Sequence, residues 1–220
     1  MKWLLDKLRM FFSDTKPNEK PKQKIKAARI GALGEYKIEL QLSQLPQEYI
    51  HMSDIMIANP KSRTQYSQID HIVLTPYAIF VVETKNYSGY ISGKKEQANW
   101  YVNKRFKMYS PIRQNYGHIK ALERLLSDHK LVPFVSIVSF NRRCTFQVDA
   151  ELRNIQSNEL VVYDTEFSEF VTRKCFRMKM EGGVSPLSMS SLEVIESTIR
   201  RANIVDPEIR KRIVTQTNES

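Results

Sequence analysis

A chain of 220 residues, 41% of them hydrophobic, is long enough for one domain with a real core and an appendage. Its longest apolar runs, AIFVV and VPFVSIVSF, fall well short of the roughly 20 residues a membrane-spanning helix needs, and two cysteines without C-x-x-C spacing argue against a disulfide framework and a zinc knuckle. A formal charge of +10 favours anionic partners, nucleic acid or an acidic membrane surface, and residues 1–26 carry eight basic against three acidic side chains.

MKWLLDKLRMFF, residues 1–12, predicts a short amphipathic helix with Leu4, Leu8, Phe11 and Phe12 on one side. A docking helix or frayed end is the plain reading; a weak membrane-surface contact is the alternative. Asp6, Lys7 and Arg9 interrupt the apolar centre a secretory signal requires, which predicts a cytoplasmic protein, at most peripheral at the inner membrane face. Residues 13–24, SDTKPNEKPKQK, read as a Lys- and Pro-rich linker. From Ile25 a long helix is expected, ending before Pro46, with Ile30, Leu33, Ile38 and Leu42 near helical spacing.

Strands are expected at Tyr49–Ala58, Ile69–Leu74, Ala78–Thr84 and Asn99–Lys107. SPIRQNYGHIKALERLLS follows as a helix with Ser110 as N-cap and Pro111 at its first position. VPFVSIVSF suits a strand buried on both faces, NELVVYDTE another strand, and EFSEFVTRKC a helix. Ser190 with Glu193 predicts a capping box for LEVIESTIRRAN, and Asp206 with Pro207 starts a last short helix. The order predicts an α/β fold, a mixed β-sheet flanked by helices. Residues 1–24 form the tail and linker, 25–130 the core, and 131–220 an α/β completion of the same domain.

The stretch QIDHIVLTPYAIFVVETK is apolar except for Asp70, Glu83 and Lys85 and their polar neighbours. If TPYA closes a hairpin with Thr75 opposite Ala78, Asp70 falls opposite Glu83 and Gln68 opposite Lys85, all four on one face by the two-residue period. Opposed side chains stand about 4.5–5.5 Å apart at Cβ, so two carboxylates there repel unless a cation lies between them. Mg²⁺ or Mn²⁺ prefers such oxygens and keeps waters for a substrate phosphate; Lys85 could then hold the attacking water or stabilise charge developing on phosphorus. The plain alternative is a Glu83–Lys85 ion pair at a strand end with Asp70 solvated. Glu35, one helical turn after Gly31, and Gln114 with His118, four apart on the next helix, favour a site over that alternative.

GALGE, QIDHIVLTPYAIFVVETKNYSGYISG, Trp100 and SPIRQNYGHIKAL, in this order between Ile30 and Leu126, resemble the nuclease-related domain family within the PD-(D/E)xK nucleases. That resemblance implies a restriction-endonuclease-like fold with a mixed four-stranded core sheet, and a metal-dependent nuclease with Mg²⁺ (or Mn²⁺) as cofactor. It implies Asp70 and Glu83 as metal-binding acids, Lys85 as the catalytic lysine, Glu35 as the helix acid and Gln114 as the glutamine of the following helix; the Thr84 carbonyl joins the metal ligands. Ser110-Pro111 replaces the family's usual Asn-Pro, one cap for another.

Basic and aromatic side chains alternate around this set, and Lys61, Arg63, Lys104, Arg105, Lys107, Arg113 and His118 are expected at a nucleic-acid surface, DNA before RNA. The rival reading is a non-catalytic nucleic-acid-binding or scaffold protein on the same fold.

Overall fold

The structure, a computed structural model, describes Gly34, residues 36–129 and residues 132–218. The expected N-terminal helix, the linker, the start of the following helix and Glu35 lie outside the described residues. The described part of that helix, residues 36–42 (α1), stops ahead of Pro46 as expected.

In chain order the strands are β1 (Ile50–Ala58), β2 (Tyr66–Leu74), β3 (Ile79–Lys85), β4 (Gly89–Gly93), β5 (Asn99–Val102), β6 (Phe106–Tyr109), β7 (Phe134–Phe140), β8 (Cys144–Val148) and β9 (Glu159–Tyr163). The further helices are α2 (Pro111–Leu125), α3 (Phe167–Glu181), α4 (Met189–Ala202) and α5 (Pro207–Asn218). A five-stranded sheet runs β1-β2-β3-β7-β9, antiparallel through β3 and parallel beyond it. It is a mixed sheet flanked by helices, with one strand more than the four the family resemblance implied.

Alternation decides which helix covers which face. Ile72, Leu74, Ile79 and Val81 join Ala121 and Leu122 of α2 and Leu192, Ile195 and Ile199 of α4 in one core. Val73, Phe80, Val82, Val135 and Ile137 join Ile38 and Leu42 of α1 and Phe167, Val171 and Cys175 of α3 in the other. β3 and β7 are therefore apolar on both faces, which is why their sequences run almost unbroken.

A second sheet, ordered β6-β5-β4-β8, corrects two expectations. The single strand over Asn99–Lys107 is two strands, because Asn103 and Lys104 adopt φ of 53° and 57° and turn the chain back. YSGYISG, where no strand is expected, supplies β4, which pairs antiparallel with β5 and parallel with β8. The glycines explain the missed strand: a Cβ on Gly93 would stand 2.2 Å from the Trp100 ring, so only glycine lets that buried indole lie on the strand.

Ser110 caps α2 by accepting from Arg113 N–H, with Pro111 following as expected. Asp206 accepts from the amides of Glu208 and Ile209 to start α5. The cap of α4 is Ser188, which accepts from Ser191 N–H, and Ser190 lies inside the first turn. The Ser-x-x-Glu pattern alone placed this start two residues late.

Candidate active site

The β2–β3 hairpin closes as its sequence dictates. Thr75 accepts the Ala78 amide on Oγ1 and donates both its hydroxyl and its own N–H to the Ala78 carbonyl. That lock fixes Leu74 opposite Ile79 and His71 opposite Val82, the expected register. Past His71 the two strands stop pairing: β2 continues along β1 as far as Tyr66, and β3 continues along β7 as far as Lys85. Asp70 bridges the parting strands with its side chain, its Oδ2 accepting the Thr84 amide at 2.7 Å.

Lys85 lies at the open end. Its ammonium donates to Glu83 Oε1 at 2.7 Å and to Gln114 Oε1 of α2 at 3.1 Å. The other Glu83 oxygen, Oε2, is buried without a hydrogen-bond partner among the described residues and faces His118 Nε2 at 3.6 Å. Burial alone would push the Glu83 carboxyl up, but Lys85, assisted by His118, outweighs it and holds the carboxyl well below the usual carboxylate range. Burial likewise works against the Lys85 charge, and Glu83 again wins, raising the ammonium above its ordinary value.

Asn115 holds α2 against these strands. Fully buried, it donates to the Val81 carbonyl at 2.7 Å, to Ser136 Oγ at 2.9 Å and to the Ile137 carbonyl at 3.3 Å, tying the helix to β3 and β7. Its neighbour Gln114 is thereby carried to Lys85. His118, expected at the nucleic-acid surface, is 8% exposed and lies in the buried stripe Asn115, His118, Leu122. The 3–4 spacing of that stripe was the available signal for its inward position.

On the far side of β2, Asp54 is the β1 residue across from Asp70, and its φ of 54° lies in the left-handed region. Met52, Ile72 and Leu74 share a core with Ile55, Ile57 and Ile69, so the alternation of both strands shifts by one residue at Asp54 and Asp70. Gln68 consequently does not join Lys85 as the two-residue period predicts; its amide donates to Asp54 Oδ1 at 2.8 Å. Arg210 of α5 grips the same residue, with Nη1 2.7 Å from Asp54 Oδ2 and Nη2 2.8 Å from its carbonyl. Sequence reasoning missed this clamp, since its two ends lie 156 residues apart.

Hard oxygen donors suit a hard cation. Glu83 offers a buried oxygen without a partner, and Asp70 stands across the gap. Mg²⁺ and Mn²⁺ commonly take one or two carboxylates and keep waters. Among the described residues no three His, Cys, Asp or Glu side chains stand close enough to form a complete cage. A sparse set of oxygen donors fits such an ion and does not fit a structural zinc.

The other residues expected at a nucleic-acid surface come from three separate stretches of the chain. Lys61 and Arg63 are exposed between β1 and β2, at the end of the sheet where β3 finishes. Lys104 and Arg105 are exposed between β5 and β6, Lys107 lies on β6, and Arg113 bonds the Glu96 carbonyl at the start of α2. No described helix is long and apolar enough to cross a membrane.

The nuclease-related domain matches residues 30–141, a span that holds every residue of this arrangement except Asp54's partner Arg210 and the strands beyond β7. An uncharacterized protein of Bacillus anthracis is 33% identical over 189 residues, covering 84% of this chain and 82% of its own length. No solved structure matches the chain. A match over half the chain, together with a relative alike along most of both lengths, shows that the protein belongs to the nuclease-related domain family.

Proposed function

We propose that the protein is a metal-dependent nuclease that hydrolyses DNA phosphodiester bonds where β2 and β3 part. The observation that carries this reading is the placement of Lys85, whose ammonium is held between Glu83 and Gln114 beside the Asp70 bridge. Asp70, Glu83 and the Thr84 carbonyl would hold Mg²⁺ or Mn²⁺, which when bound supplies Lewis acidity to the phosphate and lowers the pKa of water. Lys85, kept charged by Glu83, stabilises the negative charge that grows on the phosphate oxygens under attack. Gln114 orients Lys85 by accepting from it, and His118 steadies the carboxylate of Glu83. Glu35, the helix acid of the family resemblance, would complete the set. Lys61, Arg63, Lys104, Arg105, Lys107 and Arg113 would track the DNA backbone on either side. Cys144 and Cys175 are both free and buried, which suits a reducing compartment and supports a cytoplasmic location.

One observation favours the second reading, a non-catalytic nucleic-acid-binding protein: Lys85 already neutralises Glu83 without a metal. Supercoiled plasmid incubated with Mg²⁺, Mn²⁺ or EDTA separates the two. The nuclease cuts with either ion, stops in EDTA, and loses at least about a hundredfold in Asp70→Asn. Asparagine keeps an oxygen for the Thr84 amide, so this variant retains the local fold. Undiminished cutting by Asp70→Asn would remove the assignment; DNA retarded on a gel but uncut by the wild type would favour the binding protein.

A further inference from the structure

The second sheet turns a tyrosine-lined face to solvent. Along β4, β5, β6 and β8 the inward residues are Ile91, Trp100, Met108 and Phe146 with their neighbours, packed on Val138 and Phe140. The outward set includes Tyr90, Tyr101 and Tyr109, which are 55%, 41% and 57% exposed, far more than rings in a core. Tyr101 stands opposite Ser92 on β4 and Lys107 on β6, while Asn99 stands opposite Tyr109. Each tyrosine is therefore one strand over and two residues along from the last, a diagonal step of about 7–8 Å.

We propose that this face is a stacking platform for single-stranded nucleic acid, feeding the site at Lys85. The inference rests on the nuclease reading for its purpose and on the sheet for its chemistry. Three aromatic rings on neighbouring strands offer π-faces to successive bases. Their step is about twice the 3.4 Å rise of a stacked duplex strand, and a duplex keeps its base faces covered, so only an unstacked strand can use them. Charge is complementary: Lys107 lies beside Tyr101, Lys104, Arg105 and Arg143 are exposed at the rim, and Tyr90, Ser92, Asn99, Tyr101, Lys107, Tyr109, Thr145 and Gln147 include no acid. The sheet that carries the platform is tied to the strand that ends at the site. Tyr90 follows Lys85 by five residues, the Gly89 amide that opens β4 bonds the Arg143 carbonyl, and Asn141 N–H reaches the Lys85 carbonyl at 3.3 Å. At the other end Tyr109 precedes the Ser110 cap of α2, which carries Gln114 back to Lys85.

The test is fluorescence anisotropy of labelled oligothymidine, oligouridine and a mixed-sequence duplex against the full chain in EDTA, where binding is read without cleavage. Single strands are expected to bind more tightly than duplex. Tyr101→Ala should weaken them by roughly tenfold while Tyr101→Phe, which keeps the ring, restores binding; duplex affinity should change by less than about twofold. Preference between the thymidine and uridine probes reports DNA or RNA. Equal affinity for duplex and single strand would overturn the platform, as would unchanged binding by Tyr101→Ala. So would a dimer that dissociates in Tyr101→Ala while oligonucleotide affinity stays constant, since the face would then serve a second copy. The chelator arm makes these outcomes independent of Asp70→Asn, so failure of the nuclease reading and failure of the platform are distinguishable.

Discussion

Two paired lysines, one buried and one partly exposed, serve opposite ends of this molecule. Lys174, on α3, is 3% exposed and donates to three backbone carbonyls, those of Ile155, Gln156 and Ser157, at 2.9–3.1 Å. Burial dominates there and lowers its pKa. Lys85 meets a carboxylate and a side-chain amide, and its pKa is raised. Carbonyl dipoles consume all three ammonium protons and leave a closed knot, whereas the Glu83 contact leaves a charged pair at the place where two strands open. The difference is one of partners and of exposure, because the Lys174 side chain is buried while that of Lys85 keeps 20% of its surface.

The largest expected effect comes from removing the paired lysine. Lys85→Met strands the Glu83 carboxylate in a buried position and should cost about 3–5 kcal/mol at neutral pH, read by urea unfolding. Glu83 in the wild type has a lowered pKa, so its contribution is present above the ordinary carboxylate value near 4.5 and fades as pH falls through its lower folded value. In Lys85→Met burial pushes that carboxyl up instead, so the deficit should shrink as pH falls toward 4. Adding Glu83→Gln to Lys85→Met should recover much of the loss. A pH-independent deficit, unmoved by the second substitution, would show that Lys85 acts by packing alone, as a neutral stem would.

Arg210 tests whether the open site depends on a distant brace. The Arg210–Asp54 contact holds the β1 residue across from Asp70, at the point where both strands shift their alternation. Arg210→Ala should weaken Mn²⁺ binding by roughly tenfold, as loss of a supporting contact commonly does, read by the ion-dependent shift in melting temperature. Lys174→Met should leave that shift unchanged, because its knot touches β9's approach and not the hairpin. An equal change in both variants would mean that general stability, and not the brace, controls the metal.

Legibility followed the range of the contacts. The hairpin register was readable because Thr75 and Ala78 settle it within four residues. Caps at Ser110 and Asp206 were readable for the same reason. β4 and β8 were not, since they pair in parallel across 55 positions and β4 carries glycine and serine where strand formers are usual. The shift at Asp54 was hidden for a similar reason: nothing near it in sequence forces a positive φ, and its partner Arg210 comes from the last described helix. His118 could have been found, as its position in the stripe with Asn115 and Leu122 predicts burial; its polar ring made a surface role look natural. Fold class and the Asp70, Glu83, Lys85 and Gln114 assembly were thus legible from local pattern and family resemblance, and the supporting contacts were not.

The smallest expected effect is also the most direct on the two lysines, because alkaline pH moves them in opposite senses. Lys85 has a raised pKa, so its stabilisation is complete below 10.5 and is lost as pH climbs through the folded value. Lys174 has a lowered pKa, so the folded protein sheds that proton first, and stability rises with pH between the folded value and 10.5. Cys144, Cys175 and Tyr49, whose raised pKa values erode stability at alkaline pH, are present in wild type and Lys174→Met alike. Subtracting the two stability curves therefore isolates Lys174. Wild type should gain relative to the variant as pH approaches 10.5, by a fraction of the about 1–3 kcal/mol that losing the carbonyl contacts costs. A difference that is flat between pH 8 and pH 10 would place the Lys174 ammonium in the same electrostatic class as Lys85, and the contrast between a closed knot and an open pair would then rest on geometry alone.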